Sequence, residues 1–410
     1  MADNYYKEAL ALHEKLAGKI SVKSKMRPDT KEKLSILYTP GVAGPCLKIA
    51  DDKELAYTYT MKGNYIAVVT DGTAVLGLGD IGPEAAMPVM EGKCVLFNEF
   101  AGINAIPLCI DTKDPAEIIR FVQQAGPSFG GINLEDISAP RCFAIEQQLR
   151  ATMDIPVFHD DQHGTAIVVL SGVINALRLT GRSVESVKAV INGAGAAGIS
   201  IARLLHQYGI KHITLCDIHG AIHKDAEGIN QSQREALAFT NPDNETGILA
   251  EVIKGKDLFI GVSKGNLVTK DMVKSMAPEA IVFAMANPIP EILPNDAVEA
   301  GATVVGSGRS DFPNQVNNVL VFPGIFRGAL DCRAKDISEA MKLAAASAIA
   351  AVAAEDGLTK EYILPDAFDR RVTLYVAAAV AVAATKEGIA QIPLTYDEEL
   401  EKAASFLPKK

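Results

Sequence analysis

The chain has 410 residues, 48% hydrophobic and 22% charged, with 33 Gly and 20 Pro. That length points to two domains, and that balance excludes a disordered, collagen-like or coiled-coil chain. Forty Lys and Arg against 50 Asp and Glu leave a net charge of −10. This disfavours nucleic-acid and membrane-surface partners, while a small anionic substrate stays open if a bound cation reverses the local sign.

Met1-Ala-Asp-Asn-Tyr-Tyr-Lys7 has no basic stretch followed by an apolar core, so no signal peptide is expected. Asn4 to Leu16 reads as a helix, and Ile66 to Thr70 as a short apolar run closed by the turn pair Asp71-Gly72. Gly-rich segments follow at Leu76–Asp80 and Gly82-Pro83. Asp114-Pro115 opens a helix to about Gln124, with Pro at the first turn and Glu117 close behind. Gly130–Leu134 and Pro156–Phe158 are strand-like runs, and each ends in carboxylates.

Ala166 to Leu179 is a long apolar-periodic helix stopped by Gly181. Apolar runs then alternate with helical stretches at Val187–Ile191, Ile213–Cys216, Asp257–Ile260, Ala280–Phe283 and Ala302–Val305. That alternation implies parallel βαβ units. Ala-rich helices at about 338–354 and 366–386 follow, the second containing 14 uncharged residues from Val372 to Thr385. Fourteen is short of the roughly 20 that span a bilayer, so no membrane segment is expected. The fold class is α/β, an N-terminal α/β domain at 1–160 followed by a Rossmann-like, doubly wound dinucleotide-binding domain with C-terminal helices at 161–390 and a tail at 391–410.

The six Cys never pair as Cys-x-x-Cys and several sit in apolar runs, which offers no zinc site and fits a reducing, cytoplasmic location.

Gly193-Ala194-Gly195-Ala196-Ala197-Gly198 follows one strand, opens a helix and precedes a second strand ending in Asp217. The first glycine permits a tight turn, the second lets the backbone approach a pyrophosphate, and the third lets helix and strand pack closely. Asp217, nineteen residues beyond Gly198, stands where a carboxylate accepts from the adenosine ribose hydroxyls. It would repel a 2′-phosphate, and Ile218 offers nothing to bind one, so NAD is favoured over NADP; a cationic His219 would favour the latter.

Glu135-Asp136 and Asp160-Asp161 close apolar runs, where unpaired charges are costly. Oxygen ligands without Cys suit Mg²⁺ or Mn²⁺, although His159 and His163 leave zinc or iron open, and capping or ion pairing is the plain alternative. A dinucleotide beside a hard-metal site suits oxidation of a 2-hydroxy acid.

These strings are familiar together. Tyr38-Thr-Pro-Gly-Val-Ala43, Thr70-Asp-Gly-Thr73, Gly77-Leu-Gly-Asp80, Met90-Glu-Gly-Lys93, Asn133-Leu-Glu-Asp136, Phe158–Ala166, Ala286-Asn-Pro288 and Asn317–Gly324 resemble the malic enzyme family over about residues 10–390. The chain is similar to its small prokaryote-type branch, without the acyltransferase-like extension that some bacterial members carry. The resemblance implies oxidative decarboxylation of L-malate to pyruvate and CO₂ by a homodimer. It implies Glu135, Asp136 and Asp161 as ligands of Mg²⁺ or Mn²⁺, Lys93 as the base for the malate hydroxyl, and Tyr38 as the acid at C3. Asn287 and Asn318 would bind substrate or nicotinamide ribose, and His159 and Asp160 would orient a metal ligand. To act as a base near neutrality, Lys93 would need its pKa depressed by burial and a nearby metal. Large members carry an Arg after Ala-Gly-Ile, where this chain has Asn104, so the group facing the second malate carboxylate is open. A non-decarboxylating hydroxy-acid dehydrogenase, a malolactic conversion and a non-catalytic dinucleotide sensor are the alternatives.

Overall fold

The computed structural model describes residues 2–407. Strands β1 (Tyr65–Thr70), β2 (Asn104–Cys109), β3 (Gly131–Leu134) and β4 (Val157–His159) form a parallel sheet in the order β2-β1-β3-β4. A second sheet runs β10-β9-β8-β5-β6-β7, made of β5 (Lys188–Asn192), β6 (His212–Asp217), β7 (Gly220–Ala221), β8 (Leu258–Gly261), β9 (Ile281–Ala284) and β10 (Val304–Ser307). Within it β7 runs antiparallel to β6, and the other neighbouring strands run parallel to one another. The chain leaves β5 for β6 on one side and returns to β8 on the other, so a switch point lies at the carboxyl end of β5, where α/β sheets bind ligands.

Helices α1 (Ala2–Leu16), α2 (Lys31–Leu37), α3 (Ala43–Asp51) and α4 (Ala56–Tyr59) precede the first sheet. Its strands are joined by α5 (Pro83–Ala101), α6 (Pro115–Ala125) and α7 (Arg141–Thr152), and α8 (Asp160–Thr180) crosses to the second sheet. There α9 (Ala196–Tyr208) and the short α10 (Gln231–Ala236), α11 (Leu249–Val252), α12 (Lys270–Lys274) and α13 (Pro294–Glu299) make the connections. Helices α14 (Phe322–Asp331), α15 (Glu339–Asp356), α16 (Arg370–Lys386) and α17 (Tyr396–Phe406) follow, the last within the segment 391–410.

Two helices position the site. In α5, Gly82 at φ +83° feeds Pro83 into the first turn, and Gly102 at φ +60° ends the helix with its N–H on Asn98 O. Its buried face is Ala86, Met90, Lys93, Cys94, Phe97 and Ala101, the three-and-four spacing of a core-facing stripe. Lys93 is therefore aimed inward by helix periodicity, while Phe97 packs on Phe322 and Phe326 at ring distances of 4.7 and 5.4 Å.

Helix α8 begins at Asp160, earlier than the Ala166 that apolar periodicity suggests, because Asp160 and Asp161 suit the positive end of the helix dipole. Asp160 also demands a glycine one turn on: a Cβ at Gly164 would stand 1.9 Å from Asp160 Oδ1. Among the described residues α8 alone is long and apolar enough to cross a membrane, and it is instead the central core helix.

The N-terminal segment contrasts with this core. From Tyr5 to Tyr65 no residue is buried, and Tyr5, Tyr6, Leu10, Leu34, Leu37 and Leu47 are exposed apolar side chains.

Candidate active site

Sheet register assembles the acids. Strands β3 and β4 are parallel neighbours with Leu134 opposite His159, so the next residues, Glu135-Asp136 and Asp160-Asp161, leave the same sheet edge side by side. Asp136 takes φ +53°, a left-handed conformation that Asp tolerates better than most residues, and its N–H donates to Asp161 Oδ2 at 2.8 Å. Asn133 Nδ2 donates to Glu135 Oε2 at 2.8 Å.

Lys93 enters this group from α5. Its Nζ lies 2.6 Å from Asp160 Oδ2, 3.0 Å from Glu135 Oε1 and 4.0 Å from the centre of the Phe322 ring. Asn318 Nδ2 also donates to Asp160 Oδ2, at 3.1 Å, and Asn318 Oδ1 accepts from Thr165 Oγ1 at 3.2 Å. Behind the junction, Glu146 Oε1 accepts from the His159 N–H at 3.1 Å and pins the end of β4.

The electrostatics correct one expectation. Burial works to lower the Lys93 pKa, but the charges and hydrogen bonds of Asp160 and Glu135 prevail and hold it above its ordinary value. The pressure falls on the acids instead. Burial outweighs Lys93 and pushes Glu135 and Asp160 up, and burial followed by the charge of Asp161 pushes Asp136 up to about 7. Crowded, desolvated carboxylates of this kind call for more positive charge than one ammonium supplies.

Their geometry fits a hard cation. Glu135, Asp136 and Asp161 each offer an oxygen within 4.8 Å of the others, and Asp136 Oδ2 is buried without a hydrogen-bond partner. His159 stands next to this group, its Nδ1 3.8 Å from Asp161 Oδ2, but does not belong to it, and the donor set is all oxygen.

The Gly193–Gly198 loop lies at the carboxyl end of β5. A Cβ on Gly198 would sit 1.8 Å from Gly193 O, and one on Gly193, at φ +123°, would sit 2.8 Å from Val262 O. A Cβ on Gly195 would meet nothing within 4 Å, leaving the open approach that a diphosphate needs. Gly195 caps α9 without a side-chain bond, so the N–H groups of Ala196, Ala197 and Gly198 begin the helix free for an anion. At the end of β6, Asp217 Oδ1 accepts from the His219 N–H, and Ile218 is 94% exposed. These features fit a dinucleotide.

Two expected residues are exposed. Asn287 is exposed in the loop after β9, and a Cβ on Gly77, from the Gly-rich segment of the first domain, would lie 3.0 Å from its carbonyl oxygen. Tyr38 caps the C-terminus of α2 and is 69% exposed; its hydroxyl has no hydrogen bond to any described residue. Asp160, which the sequence suggested only as an orienting neighbour, is the closest partner of Lys93. The sequence presents Phe322 only as part of the Asn317–Gly324 string and gives it no role, and Glu146 escaped the sequence reading, because a Glu within a helix looks like surface.

Residues 17–150 match the malic enzyme N-terminal domain and residues 162–385 the malic enzyme NAD binding domain. The chain is 57% identical over 396 residues to the bifunctional malic/malolactic enzyme of Bacillus subtilis, covering 96% of this chain and 97% of that one. It is 56% identical over 376 residues to the NAD-dependent malic enzyme of Geobacillus stearothermophilus, covering 92% and 78%. Among solved structures, the malic enzyme from Pyrococcus horikoshii superposes with a TM-score of 0.92 at 43% identity, covering 95% of this chain and 92% of that one. With both domains matched in order and a relative at 57% identity matched over nearly its whole length, this chain belongs to the malic enzyme family.

Proposed function

We propose that the protein oxidatively decarboxylates L-malate to pyruvate and CO₂ with reduction of NAD, using Mg²⁺ or Mn²⁺. The observation that carries this reading is a buried lysine ion-paired into a carboxylate cluster at one sheet edge, with a dinucleotide-binding edge in the same chain.

Glu135, Asp136 and Asp161 would hold the cation, which when bound supplies Lewis-acid polarisation of the substrate oxygens and stabilisation of enolate charge. Positive charge there also relieves Lys93 of the carboxylates that keep it protonated. Lys93 would then take the C2 hydroxyl proton, while the dinucleotide that the Gly193–Gly198 loop and Asp217 would hold supplies, when bound, the hydride acceptor that makes C2 the ketone of a β-keto acid. Loss of its β-carboxylate as CO₂ leaves enolpyruvate, and Tyr38 donates a proton to C3. Asn318, fixed between Asp160 and Thr165, and Asn287 hydrogen-bond substrate and nicotinamide ribose. Asp217 accepts from the adenosine ribose and disfavours a 2′-phosphate, which is the case for NAD.

Tyr38 is proposed to act across a dimer. Its exposure, and the 60 unburied residues around it with their apolar side chains, support a homodimer in which this segment lies on the partner and carries Tyr38 to the partner's Lys93. The free cysteines suit the cytoplasm.

The test is an assay with L-malate and Mn²⁺ that follows reduced nicotinamide, pyruvate and lactate separately. Pyruvate forming mole for mole with NADH, and lost on chelation, supports the proposal. Lactate without net NADH would instead give the malolactic conversion, a reading favoured by the Bacillus subtilis relative. NADH without pyruvate would mean a simple dehydrogenase, and silence with every cofactor a sensor.

A further inference from the structure

A cavity of about 80 Å³ lies where α7 meets α8, α9 and α15. It opens on the Gln162 side of α8, and Gln162 is turned roughly 100° around that helix from Asp161, so this space is separate from the acid cluster. Its apolar walls are Phe143, Ile199 and Leu204, and its polar lining includes Gln162, Lys342 and Arg203.

Each of these polar groups has unused donor capacity. Gln162 is 2% exposed, and its Nε2 is buried without a hydrogen-bond partner. A buried amide left this way costs roughly 1–3 kcal/mol, so such groups rarely go without a partner. Lys342, also 2% exposed, directs Nζ to Glu339 Oε1 at 2.7 Å and to His163 Nδ1 at 3.1 Å, which leaves one of its three N–H bonds. The Arg203 guanidinium stacks 4.7 Å from the Phe239 ring and pairs with no acid among the described residues. Glu339, the acid in the lining, is already engaged by Lys342. A lining with free donors and apolar walls complements an acceptor-only head on a short hydrocarbon body.

We infer that this cavity is a binding site for a short-chain monocarboxylate, its head held by Gln162, Lys342 and Arg203 and its tail against Phe143 and Leu204. The ligand bridges α7 of the first domain to the helices of the second. A carboxylate matches these donors better than a phosphate would, because the walls are apolar and the space is small. The inference does not depend on the choice of NAD or on the role of Tyr38.

The probes are butyrate, titrated calorimetrically into the full-length protein, and 4-bromobutyrate, located in crystals by bromine anomalous scattering. The expected result is saturable binding with bromine between Phe143 and Leu204. Binding should weaken about tenfold or more in Arg203→Met and in Lys342→Met. Arg203→Met lies at an exposed position and should fold normally with malate turnover unchanged, while Lys93→Ala should leave the butyrate affinity as it was. Bromine only beside Lys93, butyrate affinity lost in Lys93→Ala but kept in Arg203→Met, or no saturable binding would each overturn the inference. So would occupancy at crystal concentration only.

Discussion

The Nζ of Lys93 stands 2.6 Å from Asp160 Oδ2, with both side chains withdrawn from solvent. The pair joins the middle of α5 to the first turn of α8, and it is the contact that turns two remote segments into one reactive group. Removing Lys93 leaves Asp160 and Glu135 buried without their shared counter-charge, and breaking a buried pair in this way costs about 3–5 kcal/mol. The lysine proposed as the base is thus also a structural element.

Lys93→Ala should lower kcat by about 10²–10⁴ with the dinucleotide affinity unchanged, since in the proposed mechanism the lysine acts on the reacting hydroxyl and not on the cofactor. Steady-state kinetics together with fluorescence titration of the reduced cofactor would check this. Equal losses of cofactor binding and turnover would indicate misfolding instead.

Asp136→Asn should stabilise the metal-free protein while abolishing activity. The folded pKa of Asp136, pushed up to about 7 by burial and then by Asp161, lies above that of the unfolded chain. A carboxyl raised in this way loses stability as pH climbs through the interval between the two values. The neutral amide removes that loss, on the order of 1–2 kcal/mol at pH 7.5 once discounted for coupling. Thermal melts with and without Mn²⁺ would test both halves: the variant should melt higher without the metal and gain less from adding it. A lower Tm in the metal-free variant would contradict the account.

Mixing Tyr38→Phe with Lys93→Ala subunits distinguishes a site shared across a dimer from one within a chain. If Tyr38 serves the partner's Lys93, each mixed dimer has one intact site, and a randomised equal mixture recovers about a quarter of wild-type activity. Either variant alone stays inactive. No recovery after verified subunit exchange would place both residues in the same chain's site.

Glu399 predicts a pH-dependent C-terminal helix. It lies on α17, 0% exposed, with both carboxyl oxygens buried and unpartnered, beside the Arg327–Asp331 pair of α14. Arg327 also donates to Asn64 Oδ1 and faces the Phe406 ring at 4.0 Å, so this network ties α17 to the first domain. Burial, followed by the charge of Asp331, pushes the Glu399 carboxyl up to about 9. Because the folded value is raised, wild-type stability should fall as pH rises from about 5 to 9, and Glu399→Gln should flatten that slope. Melts across this range, with proteolysis near α17 as a local readout, provide the check.

Local chemistry made much of this legible in the sequence. The glycine loop between two apolar runs, the carboxyl placed nineteen residues on and the alternation of strands and helices each follow from short-range backbone rules, and the second sheet follows them closely. The acids at the ends of β3 and β4 were readable too, because a buried strand rarely ends in charge without a use for it. The strand β2 and helix α5 were less so, since Pro88 and Gly92 interrupt the helical signal even though the core stripe from Ala86 to Ala101 carries it.

What only tertiary structure decided is which of these groups meet. A gap of 25 residues between Asp136 and Asp161 says nothing in one dimension. The parallel register of Leu134 with His159 brings the two acids together, and α5 delivers Lys93 across 67 residues of chain. The protonation of Lys93 was decided there as well, because desolvation and two neighbouring carboxylates oppose each other and only distances show which prevails. The exposure of Tyr38 is likewise visible only in the folded chain. Nothing between Tyr5 and Tyr65 is buried by the rest of its own chain, so the apolar side chains of this segment still require a surface to cover them.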